Sequence, residues 1–288
     1  MYTIDDVHHY NDLLLAEVDR ICKKHDIAYY MDSGTLIGAV RHNGNIPWDD
    51  DVDITMKRAD YEKFIDVCKA GELADGYELV LPKDYGENHF FDFIPHVAFT
   101  KSTIKPDNDE MKFYNGKQNH MLLDIFVLDE ISPSPLAQKW KVLRLQFLYM
   151  LSWAHRYKID YSEYSAAQRV IVAIMSHVGK LFKQSSIEKR FTKIAMNDNG
   201  KGYDKLFSAY YPFDQIHFIY DRSWFDNAVR LPFDEYEFDA PQGYDNVLRT
   251  MFGSYMELPP EDKRVAEHYD VTSEYFTIMA VSYTHLRA

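Results

Sequence analysis

Two cysteines in 288 residues, Cys22 and Cys68, are too few for a disulfide framework and lack the spacing of a metal site. A reducing, cytosolic setting is therefore expected. Long apolar runs are missing too: Val170–Met175 is among the longest, against the roughly twenty residues a bilayer span needs. The first residues carry charges and histidines where a signal peptide would have an apolar core, so a soluble chain without a leader is expected. Positive charge is scarce, with 32 Lys and Arg against 45 Asp and Glu and a net charge of −13. That deficit argues against nucleic acid as a bulk partner, because such binding rests on clustered Lys and Arg. A phosphorylated small molecule stays open, since a bound metal inverts the local sign. Internal repeats and low-complexity segments are absent.

What is present is ample material for a core: 46% hydrophobic residues, with 22 Tyr and 18 Phe. The length suits one large domain or two intimate subdomains. Apolar residues at helical spacing (Leu13, Leu14, Val18, Ile21, Cys22) predict a helix over 4–25. A short strand follows at Ala28–Met31, then a helix over Thr35–Arg41 with Ser33 as its N-cap. Val52–Met56 reads as a strand and Asp60–Ala70 as a helix. Strands are expected at Tyr77–Leu81, Phe91–Thr100 and Met121–Leu128, with Asp129 as a turn residue. Residues 136–196 read as two or three helical segments rich in aromatic and basic residues. Such helices could face an anionic membrane surface; an ordinary helical subdomain with snorkelling Lys and Arg is the reading preferred from sequence. Short β-prone runs follow at Gln215–Tyr220, Asn227–Leu231 and Tyr236–Phe238, then a small helix at Tyr244–Phe252. The last eight residues, Val281–Ala288, have the look of a non-native tail and are set apart from the fold.

The chemistry concentrates between residues 30 and 54. Asp49, Asp50, Asp51 and Asp53 fall within five positions. On a strand, Asp51 and Asp53 share a face about 7 Å apart and can converge on a metal between them. Like charges this close are unfavourable unless a cation is present. The bland alternative, a solvated acidic turn, loses ground because an apolar strand follows at once and Ser33, Gly34 and Thr35 precede. Gly34 at a strand-to-helix turn lets backbone approach a ligand, and the helix start adds a positive dipole end. Arg41 and His42 could reach phosphate oxygens, the alternative for Arg41 being a surface salt bridge. Asp124, inside the apolar run LLDIFVL at 122–128, is the best third carboxylate, since a charge there is costly unless paired or liganded. Trp48 reads as a packing anchor for the acidic loop. Lys263 or Arg264 could reach phosphates, although an exposed turn is the simpler reading.

The segments GTLIGAVRH at 34–42 and IPWDDDVDI at 46–54 resemble the LicD family of phosphotransferases, within the nucleotidyltransferase (polymerase β-like) superfamily that includes the fukutin-related proteins. The resemblance continues through LDIF at 123–126, LPF at 231–233, PQGYDNVL at 241–248, FGSYM at 252–256 and LPPEDKR at 258–264, so it spans roughly 10–268. Phe252 departs from the Tyr usual before that Gly. The resemblance implies an α+β fold, a mixed sheet flanked by helices in one domain over 1–280, with a helical insertion at about 136–200. It implies Asp51, Asp53 and Asp124 as Mg²⁺ (or Mn²⁺) ligands, Asp124 doubling as general base, and Ser33, Gly34 and Thr35 along the phosphate. The implied reaction moves phosphocholine or a related phospho-alcohol from a CDP-alcohol such as CDP-choline. The acceptor is a hydroxyl of a cell-surface glycan precursor, of the lipopolysaccharide or teichoic acid kind or lipid-linked, at the inner face of a membrane. Two metals about 3.5–4 Å apart would clamp the attacking and leaving oxygens. The competing readings are a nucleotidyltransferase that moves NMP to a small-molecule hydroxyl, and a non-catalytic binding protein of the same fold.

Overall fold

A computed structural model describes residues 2–266 and 268–279. The tail at 281–288 lies outside the described residues. In chain order the elements are α1 (Ile4–His25), β1 (Tyr30–Met31), α2 (Ser33–His42), β2 (Val52–Lys57), α3 (Arg58–Lys69), β3 (Tyr77–Val80), β4 (His96–Phe99), β5 (Ser102–Thr103), α4 (Asp109–Phe113) and β6 (Met121–Ile131). There follow α5 (Pro135–Ser152), α6 (Ala166–Gly179), α7 (Gln184–Ala195), β7 (Lys205–Ser208), β8 (Tyr220–Asp221), β9 (Ala228–Phe233), β10 (Tyr236–Pro241), α8 (Tyr244–Phe252) and β11 (Thr277–Ile278). The architecture is mixed α+β.

Strand β6 organises the main sheet. Its first part runs parallel to β2, with Val52–Lys57 opposite Leu123–Leu128, and antiparallel to β4. Beyond these lie β1 and β3, while the last residues of β6 take β7 and then β8. Parallel pairing calls for cover on both faces, and Ile54, Met56, Leu123, Ile125 and Val127 are all fully buried. Helices α1 and α3 pack against β6. α1 opens with a capping box, in which the Asp6 N–H donates to Thr3 Oγ1 and the Thr3 N–H to the Asp6 carboxylate.

Three sequence expectations are corrected. The strand at Phe91–Thr100 begins only at His96, because Pro95 has no N–H to donate to a ladder. The run Gln215–Tyr220 is a turn up to its last residue, with the Gln215 N–H bonded to Pro212 O and the Phe218 N–H to Gln215 O. Asp129 is no turn residue: it lies inside β6, fully buried, where Arg58 grips both its oxygens at 2.9 and 2.7 Å. A bidentate guanidinium is the partner that makes such burial tolerable.

The helices α5, α6 and α7 form a layer tied to the sheet through the buried Lys141. Its ammonium donates to Glu130 O, Ala195 O and the Asp198 carboxylate at 2.9–3.2 Å. Phe93 stacks on Phe191 with centroids 3.9 Å apart. Gly179 lets the end of α6 press on α5, since a Cβ there would lie 2.1 Å from Leu151 O.

Candidate active site

Helix α2 builds one wall of the site. Asp32, not Ser33, is its N-cap: the Asp32 carboxylate accepts from the Ser33 N–H at 2.9 Å and from the Tyr211 hydroxyl at 2.6 Å. Full burial pushes the Asp32 carboxyl up to about 6, and these two donors limit the rise. Ser33 takes a left-handed backbone (φ 46°), a costly conformation for a non-glycine residue that marks the turn from β1 into α2.

Gly34 and Gly38 stand one turn apart on one side of α2, and the loop after the helix folds back along them. A Cβ on Gly38 would lie 2.5 Å from Gly44 O, and one on Gly34 would lie 2.3 Å from Asp49 Oδ2. The space over Gly34 therefore holds the Asp49 carboxylate. The neighbouring Thr35 is buried, and its Oγ1 accepts from the Asp53 N–H at 2.8 Å, fixing where β2 begins. From α1, His8 Nε2 lies 2.8 Å from Asp49 O, and Asn11 Nδ2 donates to Asp50 O.

The carboxylates then sort by partner. Asp50 accepts from the backbone N–H groups of His268 and Tyr269 at 2.9 and 2.6 Å and from the His268 ring at 2.8 Å. Burial opposes its charge, yet these donors hold it below the ordinary range. The His268 ring is pushed up to about 9, first by that bond to Asp50 and also by Asp51, which lies 3.7 Å from Nε2. Asp51 and Asp53 have the opposite fate. Burial and then Asp49 push Asp51 up to about 8; burial and then Asp51 and Asp124 push Asp53 well above its ordinary value. Asp49 also rises, mainly through burial.

Asp53 and Asp124 face each other in register across the parallel pair β2 and β6, and His96 of β4 is level with Asp124 on its other side. His96 Nδ1 sits 2.7 Å from Asp124 Oδ1, and its Nε2 faces Asp92 at 3.4 Å. Burial alone would discharge this ring, but Asp124 and Asp92 push it up to about 10, which makes it an imidazolium. The structure thus brings Asp51, Asp53 and Asp124 together and adds His96, which sequence reading passed over. Its only signal was a histidine inside an apolar run.

Arg41 and His42 lie at the far end of α2 from Ser33. Arg41 forms no surface salt bridge among the described residues; it donates to Tyr255 O at 2.8 Å, and its Nε to the His42 ring at 2.9 Å. Arg264 lies over the Trp48 ring at 5.4 Å, and His42 meets the same ring edge-on. Trp48 is thus the spacer between Arg264 and the Arg41–His42 pair, in which burial and Arg41 lower the pKa of the His42 ring. On the other side of the carboxylates opens a cleft of about 370 Å³, lined by Phe91, Lys105, Gln118, His120 and Leu122 with Asp51, Asp124 and His268 at its wall. Gln118 is 3% exposed, and its Oε1 has no hydrogen-bond partner among the described residues.

Hard carboxylate oxygens that raise one another's affinity for protons have the donor chemistry of a Mg²⁺ or Mn²⁺ site. Among the described residues, the set whose ligand atoms all lie within 4.8 Å of one another is Asp50, Asp51 and His268, which takes in Asp51 but neither Asp53 nor Asp124. Asp50 is already engaged by three donors and Asp124 by the His96 ring, while Asp51 and Asp53 carry the upward shifts that crowding with like charge produces.

Similarity to known proteins coincides with this geometry. Over 256 residues the chain is 26% identical to the lipopolysaccharide cholinephosphotransferase LicD of Haemophilus influenzae, covering 86% of this chain and 89% of that protein. A stretch of 47 residues, 16% of the chain, is 47% identical to uncharacterized proteins of Rickettsia prowazekii and Rickettsia typhi, covering 18% and 15% of them. Residues 26–133 match the family model described as LicD/FKTN/FKRP, nucleotidyltransferase domain, and Asp51, Asp53, His96 and Asp124 all fall within the matched residues.

Proposed function

We propose that this protein is a divalent-metal-dependent phosphotransferase that moves phosphocholine, or a related phospho-alcohol, from a CDP-activated donor to a hydroxyl of a surface-glycan precursor. The observation that carries the proposal is the set Asp51, Asp53 and Asp124, held together against mutual repulsion beside an open cleft. The relative named a lipopolysaccharide cholinephosphotransferase supports the choice of chemistry.

Asp51, Asp53 and Asp124 would hold Mg²⁺, which when bound neutralises the donor's phosphate oxygens. The remaining work falls to the chain. Arg41 and Arg264, with His42 beside them, receive the nucleotide phosphate, and the cleft receives the acceptor. The acceptor hydroxyl attacks the phosphorus that carries the alcohol, the bond from that phosphorus to the CMP oxygen breaks, and CMP leaves. Asp124 takes the hydroxyl proton, with the His96 imidazolium fixing which of its oxygens faces the acceptor. Asp92 and the sheet register keep His96 in place.

The test is calorimetric titration with CDP-choline, CDP-ribitol and CTP, each with and without Mg²⁺, followed by product analysis with a lipopolysaccharide acceptor. Metal-dependent binding of a CDP-alcohol and release of CMP are expected. Pyrophosphate released from CTP would replace the reading by nucleotidyl transfer, and binding of none of the three would leave a non-catalytic protein.

A further inference from the structure

The helical layer carries a charge opposite to that of the rest of the chain. Residues 136–200 hold eleven Lys and Arg against four Asp and Glu, in a protein of net charge −13. On α5, Leu136, Trp140, Leu143 and Phe147 recur at helical spacing and are 67%, 61%, 46% and 48% exposed. Helix α6 repeats the inversion: Val170, Ile171 and Ile174 are more than half exposed, while only Val172, Ser176 and Gly179 are buried. Beside the inward faces that α5 and α7 bury through Leu145, Leu148 and Phe191, the helical layer thus turns a second apolar face outward.

Between α5 and α7 this face opens into a groove of about 700 Å³. Trp140, Leu143 and Phe147 supply its apolar side; Arg144, Arg190 and Lys193 supply its charge, and no acidic residue lines it. None of these three cations has an ion-pair partner among the described residues. No helix among the described residues is long and apolar enough to cross a membrane, so the stripe is not a span. An apolar stripe flanked by unpaired cations is the design of a surface that lies on anionic lipid.

We infer that the α5–α7 face docks on an anionic phospholipid surface, with Trp140, Leu143 and Phe147 entering the boundary between headgroups and acyl chains and Arg144, Arg190 and Lys193 meeting lipid phosphates. Charge complementarity selects this occupant. A second copy placed symmetrically would bring the two basic rims together, at a cost in repulsion. The inference does not depend on the transfer reaction, so either can fail alone.

The experiment is flotation of the whole protein with vesicles of equal parts phosphatidylcholine and phosphatidylglycerol, beside vesicles of phosphatidylcholine alone. Binding is expected to the first only, and to fade at high salt. The triple variant R144E/R190E/K193E should bind on the order of a hundredfold more weakly, since each basic side chain contributes about fivefold at such a surface. W140A/F147A should also lose binding, and R144K/R190K should keep it. Circular dichroism of each variant separates lost docking from lost fold. Equal binding to both vesicles, binding to neither, or undiminished binding by the folded charge-reversal variant overturns the proposal. So does a stable dimer in sedimentation that W140A/F147A abolishes, which would give the face to a second copy.

Discussion

Asp53 and Asp124 stand directly opposite each other on adjacent parallel strands, a pair of carboxylates held in register by the backbone ladder of β2 and β6. Neither backbone position can shift without moving a strand of the central sheet; the His96 imidazolium beside Asp124 offsets part of their repulsion, and a proton on Asp53 or a bound cation would relieve the rest. Asp53→Asn should therefore do two opposite things. The metal-free protein should melt a few degrees higher, at about 2–4 °C per kcal/mol for a chain of this size. Turnover should fall by about a hundredfold or more. Differential scanning with and without Mg²⁺ checks the cause: the parent's midpoint should rise with metal and the variant's should not. A variant that melts lower without metal would remove the repulsion argument.

The glycine pair on α2 makes a second prediction. Gly38 faces a backbone carbonyl, Gly44 O, whereas Gly34 faces the end of the Asp49 side chain. A side chain swings aside more cheaply than a loop does. Gly38→Ala should thus destabilise by about 1–3 kcal/mol, the usual cost of overpacking. Gly34→Ala should leave the melting temperature nearly unchanged and displace Asp49 from its seat, lowering activity. Melting curves and CMP release measured on the same two proteins separate the effects.

The difference between these glycines shows where sequence reading stopped. The helix of α1, the strand Val52–Lys57 and the acid-bearing strand β6 were legible, because apolar periodicity and flanking turns set them locally. Asp51 and Asp53 drew notice as neighbours on one strand face, and Asp124 because a charge in an apolar run needs a reason. Gly34 was legible as a close-approach position, but not what approaches it, since Asp49 arrives only when the loop folds back. Asp32 as the N-cap was missed because Ser33, one residue on, is an equally favoured type and a decisive partner of Asp32, Tyr211, lies 179 residues away. His96 was missed for the same reason: its role depends on β4 pairing with β6 at the level of Asp124. The outward apolar face of α5 and α6 has a helical period like any core stripe, and only the packing shows which side it faces.

His96 yields the third prediction. As an imidazolium between Asp124 and Asp92 it would orient the carboxylate that the proposed reaction uses. His96→Ala should lower kcat by roughly 10- to 100-fold, the usual cost of losing a partner behind a ligand. Mg²⁺ affinity should fall with it, while KM for the donor changes less. Unchanged metal affinity together with unchanged kcat would assign His96 to packing alone.

Gln118 tests the cleft. Its buried, unpartnered Oε1 carries a desolvation cost that a bound hydroxyl donor would relieve. Gln118→Leu keeps the volume roughly and removes the acceptor. The variant should be as stable as the parent or slightly more so, with acceptor KM raised about tenfold, as expected for the loss of about one hydrogen bond, and donor binding by calorimetry intact. Weakened donor binding would put the CDP-alcohol, not the acceptor, in this cleft.

The last prediction lies outside the site, where no metal enters. Asp12 of α1 is buried and accepts from Asn45 Nδ2 at 2.8 Å, with Asp234 and Glu235 nearby. Burial pushes it up to about 7, and those two acids add to the rise while Asn45 reduces it. A carboxyl whose folded value exceeds its unfolded value takes up a proton on folding. Its contribution to stability is then fully present below about pH 4, declines as pH rises from about 4 to about 7, and is constant above. The loss is at most about 4 kcal/mol, from a rise of about three units at 1.36 kcal/mol each. Asp12→Asn keeps the oxygen that Asn45 needs and removes the charge. The variant should gain stability over the parent at pH 8, gain little at pH 4, and flatten the slope of urea midpoint against pH between them. A parallel slope in both proteins would mean that Asp12 is ionised throughout, and that the pH dependence of this fold arises from other groups.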